Sequence, residues 1–101
     1  MDKTEAINIA HNYADAIKKS FDFKKIILFG SYVKGNYHEN SDIDIAVIFS
    51  DYKNRFDMQF ELLKLTRKID TRIEPHPFRE KEFEISNPFA NEIITYGHVI
   101  T

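Results

Sequence analysis

Asp42 and Asp44, separated by one residue, open the run DIDIAVIF. In an extended strand, residues i and i+2 project from the same face, so the two carboxylates stand together. Like charges that close repel and raise a pKa. The apolar residues Ile43, Ile45, Val47 and Ile48 mark the strand as central. A pair of acids on a central strand calls for a cation, and hard oxygen donors favour Mg²⁺ or Mn²⁺. Upstream, across a gap of ten residues, Gly30-Ser31 follows the apolar run KIILF. Glycine permits a tight turn and close backbone approach. A helix start there, with the Ser31 hydroxyl, makes an anion site. A phosphate held by Gly30 and Ser31 would lie near metals held by the next strand, the arrangement of metal-assisted nucleotidyl transfer. Lys34, one turn further on, adds a charge to that site or is a solvated surface lysine.

The elements that must position these residues are legible in the pattern. Ala6, Ile7, Ala10, Tyr13, Ala14 and Ile17 gather on one face of a helix over residues 4–19. Residues 25–29 read as a buried strand ending at Gly30-Ser31, and residues 31–35 as a short helical turn broken at Gly35-Asn36. Residues 42–49 form the next strand. A helix follows over 54–67, with Phe56, Phe60 and Leu63 beside Leu62 and Leu65; Phe56 and Phe60 are read as core. Residues 70–74 read as a third strand stopped by Pro75 and Pro77. A short helix is expected over 79–84. Asn87-Pro88 caps a last helix that runs to Tyr96 and ends at Gly97. The fold class is α/β, a small mixed sheet flanked by helices, with residues 1–101 as a single domain.

Bulk properties narrow the function classes. A net charge of −2, with basic residues spread along the chain, argues against a long nucleic-acid tract as partner. The absence of cysteine removes disulfides, thiolate zinc sites and a cysteine nucleophile. No apolar run is long enough for a bilayer, and the acidic, helix-like N-terminus is not a signal peptide. A cytoplasmic location is the expectation.

The stretch GSYVKGNYHENSDIDIAV resembles the signature of the polymerase-β nucleotidyltransferase superfamily, Gly-Ser followed by Asp-x-Asp. The ten-residue gap, the chain length and the later IDTRIEPHPF resemble its minimal nucleotidyltransferase (MNT) group. The resemblance implies a polymerase-β-like fold and a third carboxylate from a later strand. Glu74 is the favoured candidate and Asp70 the alternative; with Arg72 they alternate on one face of the expected third strand. It further implies two Mg²⁺ ions, with Mn²⁺ possible, bridging Asp42, Asp44 and the phosphates of ATP. Gly30 and Ser31 would hold the β and γ phosphates, and an acceptor hydroxyl would attack the α-phosphorus. Proteins of this group occur beside HEPN-domain ribonuclease toxins and act as their antitoxins. The implied activity is AMP transfer to a tyrosine of such a toxin. The rival readings are modification of a small molecule, antibiotic-like in its hydroxyls, and a non-catalytic antitoxin that acts by contact alone.

Other residues carry weaker signals. His11, His38, His76 and His98 show no paired metal spacing and read as surface or capping residues, His76 being the most suggestive because it follows Glu74. Arg72 pairs with Asp70 or Glu74, or faces a phosphate. Tyr32 and Tyr37 either stack on a base or pack.

Overall fold

A computed structural model describes residues 1–101. Its elements run α1 (Lys3–Ser20), β1 (Lys25–Phe29), α2 (Ser31–Lys34), β2 (Ile43–Phe49), α3 (Arg55–Thr66), β3 (Ile73–Arg79), a 3-10 turn (Glu80–Glu82), α4 (Pro88–Tyr96) and β4 (His98–Val99). The sheet order is β3-β2-β1-β4. β1 pairs antiparallel with β2 and with β4, whereas β2 pairs parallel with β3. The sheet is therefore mixed, as expected, and the acid-bearing β2 is an internal strand.

The helix ends follow their caps. Asp2 accepts from the Glu5 amide, Asn54 from those of Phe56 and Asp57, and Asn87 from those of Phe89 and Ala90. Pro88 fills the first turn of α4, where its missing N–H is not needed. Gly97 ends α4 for a reason of packing: a side chain there would strike Ile27 and the Ile93 carbonyl.

Period-two alternation divides the strands between two faces. Ile26, Leu28, Ile43, Ile45, Val47, Phe49 and Ile73 pack against Ala6, Ala10, Tyr13, Ala14 and Ile17 of α1 and Leu62 of α3. The buried Tyr13 hydroxyl donates to the Leu62 carbonyl at 2.7 Å, tying the two helices together. Ile27, Phe29, Ala46, Ile48 and Phe78 face the other way and are covered in part by Ile93 of α4.

Four expectations are corrected. The third strand spans 73–79, not 70–74, and passes straight through Pro75 and Pro77. β3 is an edge strand, and an edge strand tolerates proline where its N–H would face away from the ladder. The Pro75 and Pro77 carbonyls accept from the Gln59 side-chain amide at 2.5 Å and the Tyr52 hydroxyl at 3.3 Å, so both proline positions present their polar groups to the outer side. Asp70 lies in the turn before the strand and shares no strand face with Glu74. Phe56 and Phe60 are exposed rather than core, at 84% and 57% accessibility. α3 carries two apolar stripes, and the one that packs inward is Met58, Leu62 and Leu65, continued by Ile69 in the turn beyond the helix. The helix expected over 79–84 is the shorter 3-10 turn, and the two-residue β4 gave no sequence signal.

Candidate functional site

Asp42 and Asp44 stand at the start of β2, beside β3. In the parallel register Asp44 lies directly opposite Glu74, and Ala46 opposite His76. Side chains at alternate positions share a face, so Asp42, Asp44, Glu74 and His76 form a two-by-two array across the strand pair. One diagonal is closed by contact: His76 Nε2 lies 3.2 Å from Asp44 Oδ1. Asp42 lies diagonally across from Glu74 in the register. Ligand atoms of Asp44, Glu74 and His76 all fall within 4.8 Å of one another.

The array is electrostatically uncomfortable without a cation. Desolvation by the surrounding protein raises the Glu74 pKa, although the residue is exposed overall, and His76 opposes that shift. A hydrogen bond to Asp42, which only the protonated acid can donate, and the charges of Asp44 and Asp42 push in the same direction as desolvation. Three carboxylates and an imidazole converging from two strands are a donor set that a divalent ion fits.

Gly30 joins this array to the phosphate turn. Its φ of +84° lies in the region that favours glycine. A side chain at position 30 would run into the Asp44 carboxylate. Ser31 follows as the first residue of α2, and Gly35, at φ +87°, closes that turn. The turn thus approaches Asp44 closely at Gly30, brought there by the pairing of Phe29 with Asp44.

The remaining candidates lie elsewhere. Asp70 is taken by Arg72, whose Nη2 donates to Asp70 Oδ2 at 2.6 Å and whose Nε donates to Asp70 Oδ1 at 2.9 Å. That bond holds the Asp70 carboxyl below its usual range. Arg72 is thus paired with Asp70, and the alternative third carboxylate stands outside the array. Lys34 is ion-paired with Glu92 and lies over the Tyr96 ring, on the α4 side of α2. Tyr32 is buried and stacks on Tyr37 with ring centroids 4.8 Å apart.

His76, read from the sequence as a surface or capping residue, is the one the structure adds. Its ring packs against Phe29 and Phe89, with centroids at 5.2 and 5.6 Å, and its Nε2 lies 3.2 Å from Asp44 Oδ1. A signal for it existed: Glu74-x-His76 repeats the i, i+2 spacing of Asp42-x-Asp44. Reading the prolines as strand breakers hid that repeat.

A mixed sheet with Asp-x-Asp opening an internal strand, in contact with a Gly-Ser turn, defines a nucleotidyltransferase. Residues 5–101 match the family model described as polymerase beta, nucleotidyltransferase, and the chain belongs to that family. A Methanocaldococcus jannaschii protein provisionally named a protein adenylyltransferase is 34% identical over 92 residues, covering 87% of this chain and 90% of that one. The protein adenylyltransferase MntA of Shewanella oneidensis is 33% identical over 72 residues, covering 71% of this chain and 49% of MntA. A solved toxin–antitoxin structure with AMP-PNP superposes with a TM-score of 0.69 at 28% identity, covering 90% of this chain and 72% of that chain. No helix is long and apolar enough to cross a membrane.

Proposed function

We propose that this chain transfers AMP from ATP to a tyrosine hydroxyl of a HEPN-domain toxin and so acts as its antitoxin. The observation that carries the reading is the close approach of Gly30, in the Gly30-Ser31 turn, to Asp44, which clusters with Glu74 and His76 beside Asp42 at the start of β2. The relatives named as protein adenylyltransferases, and the likeness to a toxin–antitoxin structure with AMP-PNP, support it.

Asp42, Asp44 and Glu74 would hold the Mg²⁺ ions that the family implies. When bound, these supply charge neutralisation for the triphosphate and polarise the α-phosphoryl group. Gly30 lets the backbone approach the β and γ phosphates, and Ser31 offers its hydroxyl to them. Lys34, paired with Glu92, is left out of the phosphate site. Glu74, beside the acceptor hydroxyl, would take its proton as general base. The hydroxyl oxygen bonds to the α-phosphorus, the bond from that phosphorus to the bridging oxygen breaks, and pyrophosphate leaves. The chain's contribution is positioning and charge compensation.

A protein acceptor suits the shape of the site. The two surface cavities, of about 210 and 330 Å³, are lined by Lys24, Lys25, Ile48, Glu80 and Phe83 and by residues of α1 and the end of α3, away from the acids. The array instead stands open at the strand ends, where a side chain from a partner can reach it.

Incubation with Mg²⁺, α-labelled ATP and the co-encoded toxin tests the proposal. Label on a toxin tyrosine, absent with Asp42→Asn, is the expected result. Tight toxin binding with no label would replace it with neutralisation by contact alone. Label only on a small hydroxyl compound would replace it with the small-molecule reading.

A further inference from the structure

We infer that His76 is a metal ligand, so that the site has one ion bound by oxygen alone and one bound through nitrogen, the second selecting Mn²⁺ over Mg²⁺. The inference rests on the nucleotidyl-transfer reading and deepens its metal site. Three observations lead to it. First, the ligand atoms that cluster are those of Asp44, Glu74 and His76, and within them Asp44 is partnered by His76. Second, the 3.2 Å between His76 Nε2 and Asp44 Oδ1 matches two adjacent ligands of one octahedral ion, which stand about 3 Å apart when each bond is about 2.1 Å. Glu74 contributes a third ligand atom within 4.8 Å, so the imidazole points into a three-sided cluster rather than at a lone carboxylate. Third, the ring packs against Phe29 and Phe89, and Asp44 is its polar partner.

The chemistry of the donor sets gives the selectivity. Mg²⁺ is a hard ion that prefers oxygen ligands and retains water. Imidazole suits transition ions, and Mn²⁺ accepts both oxygen and nitrogen donors. An Asp44–Glu74–His76 set therefore gains more from Mn²⁺ than the Asp42–Glu74 pair does.

Pulsed EPR of the full chain loaded with Mn²⁺ tests this without any turnover. The wild type should show nitrogen modulation from a coordinated imidazole, lost in His76→Gln. Competition titration should show the Mn²⁺-to-Mg²⁺ affinity ratio falling at least tenfold in that variant. The wild-type spectrum decides the matter even if His76→Gln folds poorly. Mn²⁺ binding that is abolished by Asp44→Asn but carries no nitrogen modulation would overturn the His76 assignment and leave the nucleotidyl-transfer reading standing. An unchanged affinity ratio in a folded His76→Gln would do the same. Mn²⁺ binding indifferent to Asp44→Asn, with AMP-PNP present, would overturn the metal site as a whole.

Discussion

The two faces of the sheet are made from alternate residues of the same strands, yet they differ in almost every physical respect. One face is closed: α1 and α3 cover it, and its strand residues from Ile26 to Ile73 are buried. The other is closed only where Ile93 of α4 meets Ile27, Phe29, Ala46, Ile48 and Phe78, and it opens at the start of β2 and β3 onto the polar cluster of Asp44, Glu74 and His76. Apolar burial stabilises in proportion to area, so the closed face carries most of the stability. The open face spends some of it by crowding like charges, which is tolerable where a cation and a phosphate are to be bound. Period-two alternation lets adjacent residues serve these separate ends: Ile43 and Ile45 point into the core, and Asp44 between them points at the site.

Four experiments would break or sharpen that contrast. The largest effect is expected from Asp44→Asn on the open face. It should lower AMP transfer by at least about a hundredfold, more than losing a partner outside the ligand shell costs, with the urea midpoint unchanged or raised. Near-normal transfer would remove Asp44 from the metal site. Ile17→Ala on the closed face should do the reverse. It should lower unfolding free energy by about 2–5 kcal/mol, while transfer per folded molecule stays near wild type, as a denaturant titration beside a single-turnover assay would show.

Gly30→Ala should blur the distinction, because residue 30 belongs to both worlds. Its positive φ costs a side chain about 1–3 kcal/mol, and the added methyl displaces the Asp44 carboxylate. Stability and transfer should fall together; loss of only one would separate the turn from the acids. The smallest effect is expected from Asp70→Asn, beyond the array. Transfer should hold near wild type, whereas Glu74→Gln should reduce it severely. Because the bond from Arg72 lowers the folded pKa of Asp70, that carboxylate stabilises the fold above the usual aspartate range, near pH 4, and ceases to as pH falls through the lowered value. Acid titration of unfolding should therefore be slightly steeper below about pH 4 in the wild type than in Asp70→Asn.

Much of this architecture was legible before any coordinates. Gly30-Ser31 and Asp42-x-Asp44 each depend on local geometry, a turn and a strand, and local geometry is what residue spacing encodes. The helix caps Asn54 and Asn87 are local too. The misreadings arose where a neighbour decides. Pro75 and Pro77 break a central strand but not an edge strand, and the sheet order determines which β3 is. Phe56 and Phe60 lie on a helix with two apolar stripes, and only docking on the sheet selects Met58, Leu62 and Leu65 as the inner one.

Sequence by itself thus determined the alternating strands, the turn, the paired acids and the family they belong to, since each is a matter of a few residues along the chain. Tertiary structure decided what stands across from what. The parallel register of β2 with β3 set Glu74 opposite Asp44 and brought His76 to it diagonally, and it left Asp70 in the turn with Arg72. Register is fixed by burying one whole face of both strands at once, a condition no single segment contains.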